Sequence, residues 1–179
     1  MFQIQTPNLI LLELCDDDAS FILNLLNDAD FLQNIGDRGV RNLEQARTYI
    51  RNGPVTMYRQ HNVGLYKVSL KEGTAIGICG LIKRAGLSDV DLGFAFLPQY
   101  RGMGYALEAA QGVIQYAQEW LGLERIAAII LPGNTPSVRL LKKIGFKAEG
   151  RITLPGEHKE LLLMIWKISA HGHSPREEK

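Results

Sequence analysis

Residues that build metal or disulfide sites are scarce here: two cysteines and four histidines among 179 positions. Cys15 and Cys79 stand far apart in apolar runs, which predicts buried free thiols in a reducing compartment. No CxxC pair and no Cys/His cluster has ligand spacing, so no metal site is expected. His61, His158, His171 and His173 show no partner pattern for a metal or for a Ser/His/Asp triad. Long apolar runs are missing as well. None nears the ~18 residues of a membrane span, and no basic leader with an apolar core opens the chain. An excess of charge of one sign is also absent. Twenty Lys and Arg against 19 Asp and Glu leave a formal charge of +1, giving no overall pull toward nucleic acid or an anionic membrane. The expectation is a soluble, cytoplasmic protein with no nucleic-acid and no membrane partner.

What is present is an ordinary globular composition, 46% hydrophobic and 22% charged, in a chain long enough to bury one core without staples. Residues 1–170 read as a single domain, and His171 to Lys179 as a polar, frayed tail. An apolar strand at Asn8 to Cys15 is followed by Asp16-Asp17-Asp18, a helix-capping cluster. The helix it starts puts Phe21, Ile22, Leu25 and Leu26 on one face. A polar segment, Asn34 to Arg41, leads to a second helix near Leu43 to Arg51, which Asn52-Gly53-Pro54 is expected to stop.

Three strands in an antiparallel meander come next: Thr56 to Tyr66 or slightly later, Thr74 to Lys83 and Asp89 to Leu97. A long helix follows, with Ala106, Ala109, Ala110, Val113, Ile114 and Ala117 in one small-residue stripe. Arg125 to Leu131 reads apolar on both faces, as a central strand does. Thr135-Pro136 looks like a cap with proline at the first helical position, and Val138, Leu141 and Ile144 continue that helix to Gly145. Phe146 to Ile152 and Glu160 to Ile168 close the sheet through Leu154-Pro155-Gly156-Glu157. This order predicts an α/β (α+β) fold, a mixed sheet with helices on both faces.

The segment Leu97 to Ala106 carries the chemistry. A glycine-bearing loop entering a helix leaves backbone N–H groups without intrahelical partners, at the positive end of the helix dipole. Such a place suits a phosphate or pyrophosphate, and Gly102 and Gly104 remove side chains that would hold one away. A dinucleotide fingerprint needs a third glycine where Leu107 stands, and it belongs after a first strand. A P-loop needs Gly-Lys-Ser/Thr, and the chain has none.

The run Gln99-x-x-Gly102-x-Gly104, with strand before and helix after, resembles the acyl-CoA motif of the Gcn5-related N-acetyltransferase (GNAT) superfamily. Asn134-x-x-Ser137-x-x-Leu140-x-x-x-Ile144-Gly145-Phe146 supports it, and the two together resemble the RimJ/RimL branch, which acetylates ribosomal-protein N-termini. Asp91-Leu92-Gly93-Phe94 upstream and Tyr105-Ala106-Leu107-Glu108-Ala109 downstream agree. The resemblance spans Leu9 to Ile168. It implies a mixed, mostly antiparallel, seven-stranded twisted sheet, splayed between strands 4 and 5, with acetyl-CoA as cosubstrate and no metal.

By that resemblance the amides of Arg101, Gly102, Met103, Gly104, Tyr105 and Ala106 bind the pyrophosphate, with a charge-assisted contact from the Arg101 side chain. Phe96 and Leu97 would offer backbone hydrogen bonds to pantetheine at the splayed strand, and Asn134 suits a pantetheine amide. A backbone N–H near Leu97 would serve the oxyanion. Direct transfer also requires a group to take a proton from the attacking amine and another to protonate the leaving thiolate. Many relatives use a tyrosine for the thiolate where this chain has Leu141; Ser137 is the substitute, with helix capping as its plain structural role. Glu157 is the favoured base, and Asp91 and Glu149 are rivals.

The acceptor is most readily a protein or peptide N-terminus of ribosomal-protein type. Asp28, Asp30, Asp37 and Glu44 offer an acidic rim for a cationic amine. A small-molecule amine (an amino acid, polyamine or aminoglycoside) is the alternative, and a non-catalytic acyl-CoA-binding module is the alternative of another class. Exposed strand edges leave a homodimer open.

Overall fold

In the computed structural model, which describes residues 2–168, the strands form one sheet in the order β1-β2-β3-β4-β5-β6-β8-β7. That is eight strands, one more than expected. The addition is β1 (Gln3–Gln5), which pairs antiparallel with β2 (Leu9–Glu13) and buries only Ile4. Three residues are too few to show a period in sequence. The meander β3 (Leu65–Leu70), β4 (Ala75–Ile82) and β5 (Asp91–Phe96) follows as antiparallel neighbours.

The strand expected from Thr56 or slightly later begins only at Leu65, as β3, and a helix occupies Thr56–His61. α3 (Leu43–Ile50) does not stop at Gly53-Pro54; a π-helical turn, Arg51–Val55, carries the chain into α4 (Thr56–His61). Proline has no N–H to give and crowds a tight helical turn, whereas a widened turn accommodates it. Thr56 Oγ1 donates to Arg51 O at 2.8 Å, giving that carbonyl a partner. Asn62, left-handed at φ 54°, ends α4 instead.

α5 (Tyr105–Leu121) lies on one face of the sheet with the expected stripe buried: Ala109, Ala110, Val113, Ile114 and Ala117. Small residues allow this helix to approach the strands closely. Glu108 at its start binds the β1–β2 turn, accepting from Thr6 Oγ1 at 2.6 Å and from Asn8 N and Nδ2 at 2.7 and 2.9 Å. Burial opposes ionisation there, but these hydrogen bonds hold the carboxyl below its ordinary range. The other face is covered by α1 (Ala19–Leu26), α2 (Ala29–Asn34) and α3, whose Ile22, Leu25, Leu26, Phe31 and Ile50 pack against Ile78 and Leu97. Cys79 is buried as predicted, but Cys15 is exposed, since it lies two residues past the end of β2, at the cap of the Asp16–Asp18 turn.

β6 (Arg125–Ile130) runs parallel to β5, and the two pair only at Asp91↔Ala127 before separating. α6 (Thr135–Ile144), β7 (Lys147–Ile152) and β8 (Leu161–Lys167) complete the chain, with β8 between β6 and β7. Among the described residues no helix is long and apolar enough to cross a membrane. The polar tail expected at His171 to Lys179 lies outside the described residues.

Candidate functional site

The separation of β5 from β6 has a specific cause. Ala127 N–H donates to Val90 O at 2.9 Å, an ordinary ladder bond. The next N–H on that edge, Ile129, donates instead to the carboxylate Oδ1 of Asp91 at 3.2 Å. A side chain thus takes the place of a strand carbonyl, and the ladder opens. Asp91 is 2% exposed, and its Oδ2 receives Arg84 Nε at 2.6 Å. Burial raises its pKa to about 6, although the Arg84 charge and the Ile129 N–H both pull the other way.

Past this vertex a cleft of about 780 Å³ opens, large enough for a cofactor-sized ligand. Leu97 N–H donates to Ile76 O at 2.9 Å, so by strand alternation Phe94 and Phe96 turn their backbone groups to the gap. Leu97 therefore does not supply the N–H expected of it. Its side chain is also buried, against the α1–α3 layer, and away from the cleft.

At the far end of β5 the loop enters α5. Gly102 and Gly104 have φ of 73° and 88°, a left-handed backbone that glycine adopts without a Cβ penalty. The first helical hydrogen bond is Glu108 N to Gly104 O at 3.0 Å, and among the described residues the N–H groups of Gly102 through Leu107 have no acceptor. Such a run of free donors at a helix head is an anion cradle. Gly102, Gly104 and Ala106 line the cleft, whereas Met103 is 62% exposed outside it and Tyr105 packs on the core.

The Arg101 side chain departs from its expected phosphate contact. Its Nε donates to Phe96 O at 2.8 Å, and its two terminal nitrogens bind the carboxylates of Asp28 and Asp30. It therefore clamps α2 to the loop, and its charge is spent on protein partners. The acidic rim is largely neutralised with it, three arginines standing against four carboxylates. Asp28 and Asp30 are held by Arg101, Asp37 by Arg41, and Glu44 by Arg47 at 3.0 Å.

Asn134, rather than Thr135, caps α6, accepting Ser137 N–H on Oδ1 at 3.3 Å. Its longer side chain reaches the amide from one residue further back, and proline then stands at the second helical position. Ser137 is half-buried and lines the cleft, and its hydroxyl has no hydrogen-bond partner among the described residues. Leu141, in the tyrosine's place, is fully buried. Glu157 is exposed in the β7–β8 loop and faces the same cleft. Glu149 does not: it pairs with Arg125 at 2.7 Å and Lys167 at 3.4 Å on the sheet's outer edge. The cleft thus brings together Phe96, Gly102, Gly104, Ala106, Asn134, Ser137 and Glu157. Sequence reasoning passed over Arg38, Tyr49 and Arg84, which also line it. Arg84 sits in a segment legible only as a turn, and nothing local ties Tyr49 to the cleft.

Comparison with known proteins gives a consistent neighbourhood. Residues 8–147 match the acetyltransferase (GNAT) domain family. The chain is 31% identical over 148 residues to the uncharacterized N-acetyltransferase YnaD of Bacillus subtilis, covering 82% of this chain and 84% of that one. It is 30% identical over 87 residues to the ribosomal protein uS5-alanine N-acetyltransferase of Escherichia coli, 49% of this chain and 45% of that one. The structure of RimL, a ribosomal-protein alpha-N acetyltransferase in complex with coenzyme A, superposes with a TM-score of 0.80 at 15% identity, over 93% of this chain and 98% of that one.

Proposed function

The chain belongs to the GNAT acetyltransferases, and from that premise we propose that it transfers acetyl from acetyl-CoA to the primary amine of a protein or peptide N-terminus, of ribosomal-protein type, in the cytoplasm. The observation that carries this reading is the run of unpaired N–H groups from Gly102 to Leu107, opening into the gap between β5 and β6. Bound acetyl-CoA supplies the thioester; the chain supplies everything else.

The amides at the head of α5 bind the pyrophosphate without help from the Arg101 side chain, whose charge is already paired. The β5 edge offers extended backbone to an amide-bearing chain at Phe94 and at the N–H of Phe96, whose carbonyl already holds Arg101 Nε. Asn134 uses Oδ1 in its cap, leaving Nδ2 to donate to a carbonyl in the cleft. Ser137 holds a hydroxyl proton for the departing sulfur. Glu157, with no partner for its side chain among the described residues, takes the proton from the amine. Acceptor-dependent thiol release over a panel of N-terminal peptides and small amines tests the reading. Release stimulated only by small amines would move the acceptor to that class, and none at all would leave a binding module.

Ser137→Ala is expected to lower kcat roughly tenfold to a hundredfold, the scale of one proton-transfer group, with coenzyme affinity by calorimetry nearly unchanged. Unchanged turnover would remove Ser137 from the chemistry. Glu157→Gln is expected to lower kcat by about a hundredfold and to abolish the acidic limb of the pH–rate profile. Retention of the wild-type limb would pass the base role to another group.

A further inference from the structure

The acceptor end of the cleft is basic. Asp91 and Phe96 are separated by an extended strand at ~3.3 Å per residue, which puts the vertex roughly 16 Å from the phosphate loop. Arg84 is at the vertex, bonded to Asp91 through Nε, and its terminal nitrogens make no hydrogen bond among the described residues. Arg38 has no ion-pair partner among the described residues. Both guanidiniums lie within electrostatic reach of the Tyr49 phenol, opposing the burial that raises its pKa. All three line the cleft. They stand too far from the head of α5 to serve the pyrophosphate, and they meet the side from which an amine must approach the thioester.

We propose that the acceptor amine carries a carboxylate, received by Arg38 and the terminal nitrogens of Arg84 with a hydrogen bond from the Tyr49 hydroxyl. This rests on the acetyltransferase reading and names the acceptor's second recognised group. Planar guanidiniums match a carboxylate; Arg84 and Tyr49 are half-buried, which strengthens their contacts, and Arg38 reaches in from an exposed position. At the vertex Arg38 and Arg84 against Asp91 leave one positive charge, enough for one carboxylate, and elsewhere in the cleft Arg139, Lys143 and Lys159 outnumber Glu157. A polycationic acceptor meets like charge here, and the carboxylates expected to attract it are bound to arginines.

Two matched pairs of acceptors test this: Ala-Glu-Ala-amide against Ala-Gln-Ala-amide, and free alanine against alaninamide. kcat/KM is corrected for the fraction of unprotonated amine. The carboxylate member of at least one pair is expected to be favoured about tenfold, the scale of a charge-assisted hydrogen bond. The pair that shows the preference distinguishes an acidic peptide from a free amino acid. Arg38→Gln is expected to bring that ratio close to one. Equal use of both members in both pairs, or a ratio unchanged in Arg38→Gln, would overturn the carboxylate site while leaving the acetyltransferase reading intact. Absence of release with all four acceptors, coenzyme A still binding, would overturn that reading and the inference with it.

Discussion

Gly104→Ala is expected to weaken coenzyme A binding by about ten- to a hundredfold while the chain still folds. Two effects are combined in this substitution, and they separate cleanly. At φ 88° a Cβ is strained, which costs roughly 1–2 kcal/mol of stability. No atom of the chain lies within 4 Å of the position that Cβ would take, so crowding within the fold adds nothing. The added methyl instead stands before the unpaired amides at the head of α5, where it keeps a phosphate from close approach. Gly73 provides the control. It has φ 98° in the β3–β4 turn, equally open surroundings and no place in the cleft. Gly73→Ala should show the same loss of stability in urea with coenzyme affinity, by calorimetry, unchanged. Parallel losses of affinity in both variants would assign the effect to strain.

The phosphate loop and the α5 stripe were legible because each is a local pattern: two glycines at a strand–helix junction, and small residues at helical spacing. The short elements β1 and α2 were not. β1 and α2 are too short to establish a period, and α2 depends on Asp28 accepting the Phe31 N–H. Gly53-Pro54 gave a false stop because a π-helical turn can take up proline where an α-helix cannot. The errors at the site are of another kind. Arg101 reads as a phosphate ligand until Asp28 comes into contact with it, 73 positions away in sequence. The acidic rim fails for the same reason, since a charge count does not say which charges are already paired. Asp91 shows the converse. It stood among the candidate bases, and the fold gives it instead a place inside the sheet, where its oxygens are occupied by Arg84 and Ile129.

Asp91 is therefore a positioning residue, and its replacement should affect stability and turnover together. Asp91→Ala leaves the Ile129 N–H without an acceptor and the Arg84 guanidinium without its carboxylate. Breaking a buried pair in this way is expected to cost about 3 kcal/mol, moderated by the partial exposure of Arg84. Asp91→Asn keeps an oxygen for Ile129 but turns an amide NH2 toward the Arg84 Nε–H, losing the charge and that one hydrogen bond, so it should be less destabilised than Asp91→Ala and should hold the cleft open. The pH dependence separates the two further. In the folded chain Asp91 keeps its proton up to about pH 6, whereas its ordinary pKa is 3.8. Between those values the native state binds the extra proton, so this group makes stability fall as pH rises across the window. The ionised carboxylate is present at neutral pH despite that cost because Arg84 and Ile129 both require it. In Asp91→Asn the contribution to the slope disappears, and urea denaturation at pH 4.5 and 7 should show a flatter difference than in the wild type. If the alanine and asparagine variants lose equal stability and turnover, and both keep the wild-type pH slope, then β5 and β6 are parted by something other than this carboxylate.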